Sequence, residues 1–441
     1  MKARIKITNS TKVKLLFKSA ILLLFIAPFV SGAELTAILS SGVEYSNNAS
    51  QRTTATLDEV TQTLGLDILL QENRKHFNAD ASFNLEEVHY YNGVFANQTS
   101  FTTGFGLFNL DIVEDFLSWR TSFTRTEVLG DAADSDTPDN REQRSITRTG
   151  PLVSFRLNQN SILSMLTNFT VVENSDEAAV DSKRIISNIF YGYDFNSTTR
   201  FSLNSVYGEI LDADGQEELK RTNFNVGMLK QISHGELNFN FGFTQTRPEQ
   251  SDSVSGNFFD VRLTRNQLLW HDWVFQYQED ISDSSIGFEA EEASSEDSSE
   301  ANAGSAATTG LDIVQSRRLY ISLSRLLGLY QYSVSGFWRN ETYKIQPDDE
   351  KSRGLTLSIN QNVTQSLRAG FLYEFTLNDF VDRPDIGKEK TGTYRFNGQY
   401  DLGVDMSLSA YIQYEGRANS NNQVREYEEM ATGITFSWEF L

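Results

Sequence analysis

The sequence predicts an all-β fold, a transmembrane antiparallel up-and-down β-barrel of about 20 strands. Three observations carry this reading. Apolar and polar residues alternate with period two almost throughout the chain after residue 34. The alternating runs reach about 12 to 14 residues, where a globular strand usually has five or six. The connections between them alternate in length, short then long. No stretch after residue 34 carries a sustained i, i+3, i+4 apolar stripe, so essentially no helix is expected.

Composition sets the frame. The chain has 441 residues, 39% of them hydrophobic, and a mean hydropathy of −0.39, which excludes a polytopic helical membrane protein. Cysteine is absent, so disulfides, thiolate metal sites and a Cys nucleophile are excluded. The four histidines, His76, His89, His234 and His271, show no local metal-binding spacing. A formal charge of −21 argues against nucleic acid as a partner. No cofactor and no metal are expected.

Residues 1–33 read as a cleaved secretory signal peptide. Lys2, Arg4, Lys6, Lys12, Lys14 and Lys18 form a basic segment with no acid, and Ile21 to Val30 is an apolar stretch. Ser31-Gly32-Ala33 supplies the small residues of a cleavage site before Glu34. The apolar stretch is shorter than the roughly 20 residues that span a bilayer, although an uncleaved anchor is the rival reading. Removing this segment leaves residues 34–441 more negative still.

The strands follow from alternation. Leu237, Phe239, Phe241 and Phe243 are separated by Asn238, Asn240 and Gly242. Leu367, Ala369, Phe371, Tyr373 and Phe375 alternate with Arg368, Gly370 and Glu374; Phe396 and Leu408 lie in similar runs. Successive side chains of a strand point to opposite faces, so each segment has one apolar and one polar face. Phe239, Phe371, Phe396 and Leu408 are expected to face lipid, and Asn240, Arg368, Arg395 and Asp405 to face inward. A soluble sandwich also alternates, but the Phe- and Tyr-rich face is too regular and extensive for one packed core.

Short connections fall at Asn158–Asn160, Asn196–Thr198, Ser233–Gly235, Asn360–Val363 and Leu402–Val404. Long ones fall at Asn47–Asp58, Glu87–Asn97, Leu129–Ser145, Glu173–Ser182, Asp212–Glu218, Pro248–Ser253, Ser282–Gly310, Gln346–Ser352, Asn378–Lys388 and Arg417–Glu426. Short periplasmic turns and long outer loops give this rhythm in an outer-membrane barrel, and an even strand number returns the C-terminus to the periplasm. Two weakly patterned pairs of segments, at residues 35–70 and 98–128, leave a range of about 16 to 20 strands. Pro138, Pro248, Pro347 and Pro384 fall in long loops; Pro151 is expected at a strand start or a bulge. The segment 282–310, rich in Ser, Ala and acid, reads as a disordered acidic outer loop, either a solvated surface or a cation-binding one.

The last strand places Phe436, Trp438 and Phe440 on one face, a pattern similar to the assembly signal read by the barrel insertion machinery. The stretch Tyr414–Phe440 resembles the ending of outer-membrane β-barrel porins found in exopolysaccharide gene clusters, some beside exosortase and PEP-CTERM sorting systems. Tyr414, Arg417, Ser420, Asn421, Tyr427, Glu428 and Phe440 carry the resemblance; Glu429 stands where many members have Asn. The match covers under a tenth of the chain. It implies export or surface handling of an exopolysaccharide, with the export proteins as partners.

Residues suited to catalysis are few. His271-Asp272 between Trp270 and Trp273 reads either as a reactive pair or as an aromatic girdle at the headgroups; the girdle suits its place beside a short turn. Gly104-Phe105-Gly106 precedes a strand pattern and is not a phosphate loop. Non-enzymatic function is expected. The polar strand faces hold more information. Arg120, Arg156, Arg262, Arg339, Arg368, Glu374, Arg395, Asp401, Asp405 and Glu415 all lie on them. An Arg facing lipid at mid-depth would cost about 2–4 kcal/mol, so these groups are expected to line the lumen or lie near a rim. They either screen solutes and hydrogen-bond sugar hydroxyls or form an internal salt-bridge network. A channel for saccharide polymer or small polar solutes competes with an occluded barrel that scaffolds an envelope complex. In either case the outer membrane, its lipid and lipopolysaccharide, and the assembly machinery are the expected surroundings.

Overall fold

The structure is a computed structural model that describes residues 33–130, 135–175, 181–212, 218–249, 252–268, 271–283, 312–345, 348–421 and 425–441. The signal-peptide reading of residues 1–33 therefore lies almost wholly outside the described residues, as do Trp270 and nearly all of the acidic segment 282–310. Twenty strands follow one another: β1 (Glu34–Ser46), β2 (Glu59–Arg74), β3 (Phe77–Tyr90), β4 (Gln98–Val113), β5 (Leu117–Leu129), β6 (Arg141–Asn158), β7 (Ser161–Asn174), β8 (Ser182–Asn196), β9 (Thr199–Asp212) and β10 (Glu218–Ile232), then β11 (Gly235–Pro248), β12 (Val254–Leu268), β13 (His271–Asp283), β14 (Ile313–Leu327), β15 (Tyr330–Tyr343), β16 (Glu350–Asn362), β17 (Leu367–Phe380), β18 (Lys388–Asp401), β19 (Met406–Asn419) and β20 (Tyr427–Glu439). Among the described residues there is no α-helix; Pro138–Asn140 forms one 3₁₀ turn.

Each strand pairs antiparallel with the next, and β20 pairs with β1 from Ile38↔Glu439 to Ser46↔Ala431. The sheet is therefore a closed 20-stranded barrel in which every strand has two neighbours, although the β12–β13 ladder stops at Phe259↔Glu279, short of the ends of both strands. Beyond β20 the chain still pairs with β1: the Phe440 N–H donates to the Ala37 carbonyl at 3.0 Å. A strand of 14 residues, tilted as barrel strands are, rises roughly 35 Å along the barrel axis, more than the apolar band of about 25 Å requires.

The exterior explains the aromatic content. Phe239, Phe259 and Tyr277 form a ladder across β11, β12 and β13 with ring centroids 5.5 and 5.6 Å apart. Tyr373, Tyr394 and Tyr414 do the same across β17, β18 and β19, and Phe371 lies 4.8 Å from Phe396. Cross-strand ring pairs of this kind each contribute roughly 0.5–1.5 kcal/mol beyond area burial. Phe241, Phe243, Phe396, Leu408, Ile434, Phe436 and Trp438 remain exposed on the same outer face. A continuous apolar surface of this extent is foreign to a soluble monomer.

Several boundaries differ from the sequence reading. β6 begins at Arg141, β16 at Glu350, and β17 runs to Phe380, inside segments expected to be loops. Charged residues there hide the alternation, yet a neighbouring strand still supplies ladder partners beyond the apolar band. Pro151 is neither a strand start nor a bulge. It lies within β6, where pairing with β7 lapses between Thr149↔Phe169 and Leu152↔Leu166 without a change of register. The missing N–H removes a ladder bond, while β5 still pairs at Trp119↔Pro151.

Candidate functional site: the barrel interior

Register assigns one face of each strand to the interior. On β11 the face opposite the phenylalanines carries Asn238, Asn240, Thr244 and Thr246, and Asn240 Nδ2 donates to Asp260 Oδ2 on β12 at 2.9 Å. The same parity holds around the barrel, and it places Arg120, Arg156, Arg262, Arg339, Arg368, Glu374, Arg395, Asp401 and Glu415 on the inner face. Asp405 is different. It lies in the turn 402–405 between β18 and β19, and its carbonyl accepts from the Glu439 N–H at 2.8 Å. It is a rim residue, because the strand expected to contain it starts one residue later, at Met406.

The interior is strongly asymmetric along the axis. Near the long loops the inward side chains are packed. Ser46, Glu59, Arg144, Arg184, Thr246, Asp280, Glu341, Glu350, Glu389 and Arg417 are all buried there. Glu59 accepts from the backbone N–H groups of Asn92 and Val94 at 2.7 and 2.8 Å, which ties the second long loop over the barrel end. Ser135, ahead of β6, reaches across to β19, where Arg417 Nη1 donates to its Oγ at 3.3 Å. Near the short turns the inward groups are open. Arg368 pairs with Asp401 at 3.1 Å, and Arg200 with Asp194 at 2.6 Å, each group at least partly exposed. The interior is a cup, open toward the short turns and filled toward the long loops.

This asymmetry divides the sequence-identified charges. Arg339 belongs to the packed end, held by Glu350 at 2.9 Å and by Glu341, which also meets Arg318. Glu415 accepts from the Tyr427 hydroxyl and from Thr393 Oγ1. Arg395 stacks on the Tyr411 ring at 4.1 Å, and the Tyr411 hydroxyl donates to Glu44. Arg120 lies at the open end. With Gln71, Asn73, Asn78, Asp80 and Asn109 it lines a recess of about 520 Å³ in the wall formed by β2 to β5. With Glu72, which also lines it, four amides, two carboxylates and one guanidinium offer many donors and acceptors with one net negative charge, and the Asn109 Oδ1 atom is buried without a hydrogen-bond partner.

The residues that carry the hairpin resemblance are largely structural. Arg417 is paired with Glu389, Tyr427 with Glu415, and Glu429 accepts from Ser46 Oγ at 2.5 Å and from Gln51 Nε2 at 3.2 Å. They hold the seam where β19, β20 and β1 meet. Sequence reading did not single out Arg184, Arg221, Asp280 and Asp283; their ion pairs join strands remote in sequence, which no local pattern records. His271 Nε2 lies 2.6 Å from the Tyr332 hydroxyl on the outer face, whereas Asp272 follows the opposite parity.

No family model matches the chain, and no curated protein does. Solved structures similar to it include OpdK of Pseudomonas aeruginosa with vanillate, at 11% identity over 92% of this chain and 99% of that one, with a TM-score of 0.40. OpdQ of the same organism is 9% identical over 93% of this chain and all of that one, with a TM-score of 0.42. A loop-deletion mutant of OmpT, an outer membrane protein of Vibrio cholerae, is 9% identical over 93% and 100%, with a TM-score of 0.37.

Proposed function

We propose that the protein is an outer-membrane channel for polar, hydroxyl-rich solutes, with saccharide, exported exopolysaccharide included, as the leading cargo. The observation that carries this reading is the contrast between the faces of the closed barrel. The outer face is apolar and aromatic, and the inner face is polar, of mixed sign and open toward the short turns. Only a bilayer accommodates such an exterior, and bacterial barrels place short turns in the periplasm. Phe436, Trp438 and Phe440 stand on the outer face at the closing strand, where the assembly machinery would engage them. The amide-rich recess at Arg120 suits sugar hydroxyls, which exchange hydrogen bonds with amides at little net cost. Binding must stay weak and repeated for a solute to pass.

One observation favours a second reading. The packed outer end would make the barrel a non-conducting scaffold of an envelope complex if it never opens. Planar-bilayer recording of the refolded protein separates the two. Stepwise conductance that neutral oligosaccharides partly block is the expected result, and changing Arg368 and Arg395 together to Glu should move the reversal potential toward cation selectivity. A folded barrel that gives no steps would support the scaffold.

A further inference from the structure

We infer that the outer ends of β13 and β14 form a latch, locked by Arg184 and Asp283, that closes part of the outer mouth and limits the size of solute that passes. In the sheet, β8 and β13 are separated by β9 to β12. Their outer ends nevertheless meet across the interior. Arg184 Nη1 donates to Asp283 Oδ2 at 2.9 Å and Nη2 to Asp283 Oδ1 at 3.0 Å, with both side chains almost fully buried. Three residues earlier on β13, Asp280 pairs with Arg221 of β10 and accepts from Thr244 Oγ1 of β11 at 2.8 Å. Beside these pairs, Ile210 of β9, Leu219 of β10, Ile281 of β13 and Ile313 of β14 form an apolar cluster with Val254 of β12.

Two features make this a separable device rather than a piece of the wall. The contacts from β13 to β8 and β10 are made by side chains, while the backbone ladder of β13 reaches Asp283↔Ile313 with β14 but stops at Phe259↔Glu279 with β12, so that Asp280–Asp283 are held in the sheet by β14 alone. The latch can therefore release with the barrel ladders intact. In addition, a buried ion pair contributes little net stability over an apolar replacement but strongly penalises loss of one partner. The closed state thus depends on a matched pair of charges, which a charged variant or a competing ionic solute can unmatch.

Thr246 supplies the probe. It lies on β11 directly across from Arg221, is 1% exposed, and its hydroxyl has no hydrogen-bond partner, so Thr246→Cys is a mild change in a chain without cysteine. The labelling rate of a buried thiol reports the population of the open state. Thr246→Cys should react slowly with a water-soluble maleimide. Adding Asp283→Asn should accelerate the reaction by about tenfold or more, and exchanging the charges, Arg184→Asp with Asp283→Arg, should slow it again. Heat-modifiable migration on a gel reports folding throughout. If Asp283→Asn does not fold, Arg184→Gln, which removes the other partner of the same pair, takes its place, with the same acceleration expected. Fast labelling in the parent, or an unchanged rate in a folded Asp283→Asn barrel, would overturn the latch. The effect on conductance rests on the channel reading, with larger steps expected from Asp283→Asn. Accelerated labelling in a barrel that never conducts would retain the latch and reject the channel.

Discussion

Replacing Gly150 with valine is expected to abolish the folded barrel. Gly150 stands beside Pro151 in β6, where the backbone of β7 comes unusually close. A Cβ at this position would lie 1.7 Å from the Thr167 carbonyl oxygen and 3.2 Å from Asn168 Cα. Those atoms belong to the backbone of a paired strand and cannot swing aside as a side chain would. Accommodation would have to part β6 from β7 in the middle of the wall, a cost above about 4 kcal/mol. Loss of the heat-modifiable gel band is the expected readout. Gly392→Ala is the matched control, because nothing lies within 4 Å of its Cβ position. A Gly150→Val barrel as stable as the control would show that the close approach is not a feature of the folded wall.

Glu389→Ala should be nearly as damaging, by a different route. Glu389 and Arg417 are both buried at the packed end, and the carboxylate accepts from the guanidinium across β18 and β19. Alanine removes one partner and leaves a buried cation facing a void, a situation that costs about 3–5 kcal/mol. Glu389→Gln keeps the shape and an acceptor oxygen, so its cost should be markedly smaller. Urea unfolding followed by tryptophan fluorescence measures both. A loss of less than about 1 kcal/mol for Glu389→Ala would mean that the pair is solvated, like an ordinary surface pair.

These two expectations also mark what could be read in the sequence. Alternation at Leu237–Phe243 and Leu367–Phe375 was legible because a barrel wall imposes a period of two on every spanning strand. The inward parity of Arg368 and Arg395 followed from the cost of charge in lipid. The packing of the outer end was not legible. Arg184 and Asp283 lie 99 positions apart in sequence, and they meet where the end of β13 has left its ladder with β12, after Glu279. Asp283 itself stood at the edge of a segment read as loop. Arg339 and Glu415 were placed on the correct strand face, but parity cannot say whether such a group meets water or a buried partner. That depends on depth along the axis, which is set by the loops. The close approach at Gly150 was equally hidden, since Pro151 suggested an irregularity without locating it.

The closed barrel is expected to hold its Phe-rich face in lipid while its polar face encloses water open to the periplasm. Cysteine labelling in cells tests it most directly, because no native cysteine interferes. Gln399→Cys sits on the inner face of β18 near the short turns, and Phe396→Cys on the exposed outer face of the same strand. A bulky, charged maleimide that does not cross membranes should leave Gln399→Cys largely unmodified in intact cells and label it rapidly once the outer membrane is permeabilised. Phe396→Cys should stay protected by lipid in both conditions. Rapid labelling of Phe396→Cys in the membrane, with Gln399→Cys protected even after permeabilisation, would reverse the two faces and contradict the barrel as described.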